Sequence, residues 1–472
     1  MRFTIIGHST LFIETAGRRI LVDPWLFGSC YWRSWWHYPP TAEVDPAWLA
    51  PDFIYVTHHH FDHFHYPTMR RLDRGAHVLV PRFGIDVMAG EVRGLGFEHV
   101  EELGHGEIRE LVPGLRVASY QYGFDDTAFV VAEGERAIVD LNDCKIRGRA
   151  LQQIRRDFGS LDVMLKGHSF AHGYPLCYEA EDPRDLDLVT RESFTSDFIE
   201  AARELRPRHA VPFASMVGFL HPDSRHVNPH HVTPDEVARA CAGADMPDTE
   251  VVTLVPGDQW DSEEGFVRSG IDWYEPERRE RELNLLAERV RSDLEAQEAR
   301  ESRHTLDFET FATYLGSFLR ALPPGVPRLL LERPMVFEVP SSPEPYWVVD
   351  CRRARITRCS RAPDERAGLI RLSEGVIADA IEKRILAMTT GSMRMKTALR
   401  PGGVETDLAF WGLVHIWEMG YLPISRVLRP RLLAAAWRRR REGLDVLGAL
   451  AGGGSMLRRL SQALAPGDRP EP

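Results

Sequence analysis

The sequence contains no run of 18 apolar residues, so no membrane-spanning helix is expected. Cysteine is sparse. Cys30, Cys144, Cys177, Cys241, Cys351 and Cys359 show neither a CxxC pair nor regular spacing. That excludes a disulfide framework and fits a reducing compartment, so a cytoplasmic location is expected. The opening residues, MRFTIIGHST, carry one Arg and a short apolar run with no cleavage site, and no signal peptide is expected. Lysine supplies only four of the 58 basic residues, a bias expected of genome composition rather than function. The formal net charge of −11 excludes a nucleic-acid footprint over the whole chain. No internal repeat is present.

What is there suits a soluble globular protein with a large core. The chain has 472 residues, 43% of them hydrophobic and 27% charged, enough for two or three domains. RFTIIGH, TLFIETAG and RRILVDP read as strands punctuated by Gly7 and Gly17. DFIYVTH, AHVLVP, LRVASYQYG, TAFVVAEG and RAIVDLND follow as further strands. Helices are expected after Tyr66, over Ile146–Phe158 and over Ser196–Leu205. Strands broken by helices without strict alternation point to a layered α/β architecture. A second region starts near Gly265. It has an amphipathic helix on Leu283, Leu286, Val290 and Leu294, a helix through LDFETFATYLGSFLRAL, strands in PRLLLERPMVFEVP and YWVVDCRRARITRCS, and a helix over Glu374–Met388. The closing 425–472 segment is Arg-rich. It reads as a solvated helix face or, through Leu428, Leu432, Leu433 and Trp437, as a peripheral membrane or partner contact.

The densest chemistry is in YVTHHHFDHFHYP (Tyr55–Pro67), with five histidines and an aspartate in thirteen residues. His58, His60, Asp62 and His63 form H-x-H-x-D-H at the end of an apolar strand. Imidazole and carboxylate are ligands for zinc, iron and manganese. In extended chain His58 and His60 point to one side and suit one metal; Asp62 and His63, in the turn beyond, suit a second. His59 and His65 stand outside the pattern and are expected to be surface or supporting histidines.

This pattern resembles the metallo-β-lactamase superfamily, as does GHSTLFIETAGRRILVDP, with Asp23 matching the Asp that positions the histidine loop without binding metal. The resemblance implies an α/β fold, the metallo-β-lactamase αββα sandwich, over residues 1–265. An α+β accessory domain (266–424) and a basic helical tail (425–472) would follow. It also implies a carboxylate bridging the two ions. Asp143 in AIVDLNDC is the best match, with Asp140 the alternative. WWHYPP, YPTMRRL, LNDC, HGYP, LRPRHAVPF and HPDSRHVN further resemble the CMP-N-acetylneuraminate hydroxylase family, which pairs a non-haem iron centre with a Rieske cluster. No C-x-H…C-x-x-H pair occurs here, so a separate electron-donor protein is an expected partner.

Two departures from the superfamily pattern matter. Its third histidine falls in SYQYGFDDT, which has none. Gln121, Tyr122, Asp125 and Asp126 are the available substitutes there, and His105 comes too early. Its last histidine falls near Phe213, and His221 is the expected replacement. His168 and His172, in GHSFAHGYP, are expected at the site with catalytic roles, as is Asp62. The expected ligands are His58, His60, Asp62, His63, Asp143 and His221, holding two divalent ions, iron ahead of zinc or manganese. The aromatic loop WLFGSCYWRSWWHYPP reads equally as local core or substrate wall, with Arg33 suited to an anionic substrate. The expected activity is O2-dependent oxidation of a small molecule. The alternative is hydrolysis of a phosphodiester, lactone or thioester by a metal-bound hydroxide.

Overall fold

A computed structural model describes residues 1–423, 425–426 and 429–440. Two sheets stack face to face. The first has eight strands in the order Gly265–Val267, Gln259–Asp261, Arg2–Ile5, Leu11–Thr15, Arg18–Val22, Phe53–Tyr55, His77–Pro81, His99–Leu103. The second has seven, in the order Glu250–Val251, His209–Phe213, Val163–Gly167, Arg136–Asn142, Asp126–Glu133, Leu115–Tyr122, Ile108–Val112.

Alternation along each strand builds the layers. Ile20 and Val22 enter the core between the sheets, whereas Leu21 faces the outer cluster with Met69, Leu72 and Val92. In the second sheet Ile138 and Leu165 face inward; Val139 and Met164 meet Leu151, Ile154 and Phe198 on the outer helices. Tyr55 and Phe129 stack across the sandwich with ring centroids 3.7 Å apart. This is the expected αββα sandwich.

Local sequence explains the connections. Ala16 and Gly17, at φ 50° and 68°, make the two-residue turn joining the second and third strands, a conformation that glycine adopts without strain. Helix Arg191–Leu205 starts in a reciprocal cap between Thr190 and Ser193. It buries Phe194, Phe198, Ala201, Ala202 and Leu205, the stripe a 3.6-residue period demands.

The C-terminal region forms a six-stranded sheet covered by helices including Phe308–Ala321 and Val404–Glu418. One of its strands, Tyr178–Ala180, comes from far upstream and pairs in parallel with Lys396–Leu399. The first sheet, for its part, runs on to Val267. The two sheets therefore interleave in sequence across residue 265, and one apolar cluster joins Phe198 of the sandwich to Phe311 and Phe410 of the C-terminal region. PRLL, expected as strand, is a short helix, Val326–Leu330, with Pro327 in its first turn after Gly325 at φ 94°.

Helix Pro430–Arg438 docks on the sandwich, where Arg431 meets Glu102 and the Phe83 carbonyl. Leu433 and Trp437 of this helix are exposed. Leu428 and the rest of the expected basic tail, 441–472, lie outside the described residues. No helix among the described residues is long and apolar enough to cross a membrane.

Candidate metal centre

Both sheets offer the carboxyl ends of parallel strands at one edge. Arg18–Val22 runs parallel to Phe53–Tyr55, and Arg136–Asn142 to Val163–Gly167. Chemistry collects where such strands stop, because loops there are held by a rigid base. Asp23 follows the first of these strands, His58 to His63 the second, Asp143 the third and His168 the fourth. His8 joins them from the link between the first two strands of the chain.

Asp23, fully buried at φ 45°, organises the loop. Its Oδ1 accepts from the Thr57 amide at 2.8 Å and its Oδ2 from the Thr57 hydroxyl at 2.7 Å. His63 Nδ1 donates to the same Oδ2 at 2.6 Å, which leaves Nε2, without a hydrogen-bond partner, as the free lone pair. Because the Thr57 hydroxyl gives its proton to Asp23, it accepts from His58 Nδ1 at 2.9 Å and frees His58 Nε2 in turn. Fixing one ring nitrogen so that the other can ligate is the usual support of a metal-bound histidine.

Among the described residues, three groups of potential ligand atoms lie within 4.8 Å of one another: His8, Asp62 and His63; His58, His63 and Asp143; and His60, Asp125 and His415. His58 Nε2 and His60 Nδ1 approach to 2.8 Å, as two nitrogens aimed at one point do. Asp143 Oδ2 stands 3.7 Å from His58 Nε2 and 3.6 Å from His63 Nε2. Asp62 Oδ2 faces His8 Nε2 at 2.9 Å and His63 Nε2 at 3.2 Å, and Tyr31 donates to its other oxygen at 2.8 Å.

The electrostatics fit a cation. Burial, reinforced by the neighbouring imidazole, lowers His58 and His60 to about 4, so both are neutral donors at neutral pH. Burial also disfavours charge on His63, yet the carboxylates of Asp143, Asp62 and Asp23 overcome it and hold this group well above its usual value. Positive charge is thus stabilised among these carboxylates. Asp62 is held well below the usual carboxylate range, because His63 and His8 outweigh its burial. The set is nitrogen and oxygen throughout, imidazoles and carboxylates, with orphaned buried atoms at His63 Nε2, Asp143 Oδ1 and His168 Nε2.

Of the residues expected at the site, His58, His60, Asp62, His63 and Asp143 are brought together. Asp143 stands between His58 and His63 from just beyond the strand, after Asn142 at φ 41°, and not from regular alternation within it. Asp140 is buried, accepts from the Asn142 amide, and joins none of the three groups. His168 donates from Nδ1 to the Phe213 carbonyl at 3.2 Å and lies in the field of His8. His172 accepts from the Tyr174 amide; its titratable neighbours include Lys145, His60 and His415. His221 joins none of these groups; its titratable neighbours are Arg394, Asp223 and Glu301, and its Nε2 is buried without a hydrogen-bond partner. His59 turns outward to Glu91 and Tyr66, and His65 bonds Thr68.

Of the candidates in SYQYGFDDT, Asp125 lies with His60 and His415, accepting from His415 Nε2 at 2.7 Å. Gln121 turns to the Arg82 carbonyl, and His105 accepts from the Gln121 amide. The aromatic loop is mostly core. Trp25, Trp35 and Tyr38 are fully buried, and Trp32 and Trp35 tie it to Asp379 and the Gly391 carbonyl of the C-terminal region. Arg33 pairs with Asp293. Sequence reading missed His8, although it sits in the quoted GHST, because a lone histidine after a strand carries no spacing. It missed His415 because only folding brings that helix here.

Residues 2–157 match a family model described as Beta-lactamase superfamily domain. A Mycobacterium tuberculosis protein whose name assigns it to the Rieske 2Fe-2S iron-sulfur class is 29% identical over 262 residues, 50% of this chain and 49% of that protein. A cytidine monophosphate-N-acetylneuraminic acid hydroxylase of Danio rerio is 25% identical over 252 residues, 48% of this chain and 39% of that protein. The chain thus spans about half the length, or less, of these curated relatives. A solved metallo hydrolase from Ignicoccus hospitalis is 19% identical and covers 55% of this chain and 96% of that chain, at a TM-score of 0.38.

Proposed function

We propose that the chain is a dinuclear, iron-dependent oxygenase that hydroxylates or otherwise oxidises a small molecule. One observation carries this reading. Asp125 stands with His60 where the superfamily pattern has a third histidine, so the first lobe offers two histidines and carboxylates in place of three histidines. Two histidines with a carboxylate and open positions are the donor set of non-haem iron oxygenases. The similarity to a hydroxylase over half of the chain supports the same reading.

The first lobe consists of His58, His60, Asp125 and the shared Asp143; the second consists of His8, Asp62, His63 and Asp143. Iron bound there would supply O2 activation. The protein's own part is to fix geometry and exclude water. Tyr31 holds Asp62 Oδ1 and leaves Oδ2, which faces His8 and His63, as the oxygen turned to the lobe, which suits a ligand better than a mobile base. His168, fully buried with a free Nε2, is placed to orient a bound molecule at the second lobe. His172 stands on the side of His60 and His415.

Hydrolysis is the second reading, favoured by the intact H-x-H-x-D-H loop within a Beta-lactamase superfamily domain. A direct test is to reduce the protein anaerobically and mix it with O2 in a stopped-flow cell. The oxygenase reading expects a near-ultraviolet band to develop within seconds, and no turnover of bis(p-nitrophenyl) phosphate. An optically silent protein that cleaves that diester would establish the hydrolase.

A further inference from the structure

On a face of the molecule lined by none of these candidate ligands, a cavity of about 740 Å³ opens between helix Pro276–Arg289, helix Pro234–Ala242 and the 3-10 turn Arg225–His230. Three polar atoms on its walls are buried without a hydrogen-bond partner: Arg279 Nε, Tyr274 Oη and His231 Nδ1. No carboxylate lies within ion-pairing distance of Arg279 among the described residues. The nearby acids are engaged elsewhere. Glu236 pairs with Arg191 and accepts from the Thr233 amide, Asp272 accepts from the amides of Tyr274 and Glu275, and Glu275 caps its own helix.

Arg279 is part-buried with its Nε enclosed, and its planar fork matches the two oxygens of a carboxylate or phosphate. The Tyr274 hydroxyl adds a third donor. His231 supplies the complement. Its Nε2 donates to the Ser215 carbonyl at 2.6 Å, so Nδ1 carries a lone pair and calls for a donor from the ligand. Asp235 and Glu280, also on the walls, disfavour a bulky polyanion.

We infer that this cavity is a second ligand site, taking a small anion that also carries one hydroxyl: hydrogen phosphate or a hydroxycarboxylate. The anionic oxygens bind Arg279 and Tyr274, and the hydroxyl donates to His231. The site adjoins the candidate centre but is separate from it. Ser215, whose carbonyl holds His231, also accepts at Oγ from the amides of His168 and Ser169.

The test is calorimetric titration of the full chain, both metal-loaded and stripped by chelation, with inorganic phosphate, lactate and propionate. Saturable binding of phosphate or lactate is expected in both preparations, with lactate ahead of propionate, which lacks the hydroxyl. The stronger of phosphate and lactate identifies the natural class. Arg279→Gln should weaken binding by at least about tenfold, the usual scale for a charge-assisted contact. Tyr274→Phe should weaken it by a smaller factor, and this variant carries the test should Arg279→Gln not fold. Binding confined to the metal-loaded protein, binding unchanged in the variants, or no saturable binding would overturn the site.

Discussion

His415 Nε2 lies 2.7 Å from Asp125 Oδ2, although 290 residues separate the two in sequence. A helix of the C-terminal region thereby braces the turn that carries Asp125, and His415 itself belongs to the group with His60 and Asp125. The accessory region is thus part of the candidate centre, not an appendage.

His415→Ala should leave a folded protein, because its ring sits at an edge and not in the apolar cluster. Metal affinity of the first lobe should fall about 10–100-fold, the range seen when a group supporting a ligand is removed. Chelator competition measures this. Unaltered affinity would detach His415 from the centre.

Asp143→Ala should lower metal content from two ions per chain toward one, since its carboxylate stands between His58 and His63. Asp140→Asn should leave metal content unchanged. Elemental analysis of the two variants decides, and the opposite ranking would move the bridging role to Asp140.

His8→Ala should empty the second lobe, whereas His221→Ala should keep both ions. Each variant needs only a metal count and a circular dichroism spectrum. Loss of an ion in the folded His221 variant would restore the ligand role that its sequence context suggests.

Burial pushes the Asp407 carboxyl up to about 7, while Tyr178 donates to it at 2.8 Å. Its reference value is 3.8. Between these values the folded chain keeps a proton that the unfolded chain has released. The group's contribution is therefore full below about pH 4 and is lost as the pH rises toward 7. About three pH units correspond to roughly 4 kcal/mol. Asp407→Asn keeps an acceptor for Tyr178 and removes the titration. Its melting temperature should match wild type near pH 4 and exceed it at pH 8. Parallel pH profiles would contradict this.

Much of the centre was legible in the sequence because its ligands sit in local patterns. H-x-H-x-D-H and LNDC follow apolar strands, and strand ends are where such side chains converge. The sandwich was legible for the same reason, since alternation in segments such as RRILV sets which face is buried. Long-range placement was not legible. His415 reads as one residue of an apolar helix, and Tyr178–Ala180 gives no sign of its partner Lys396–Leu399. The HP context of His221 likewise gives no sign of Arg394, which folding sets beside it.

The central claim is a two-ion iron centre at this strand edge. Its most direct test is elemental and optical analysis of protein purified without added metal, alongside His60→Ala. The account predicts iron near two per chain with near-ultraviolet absorption, and loss of most of that metal in a still-folded His60→Ala variant. A colourless zinc protein, or one whose metal is untouched by the substitution, would contradict it.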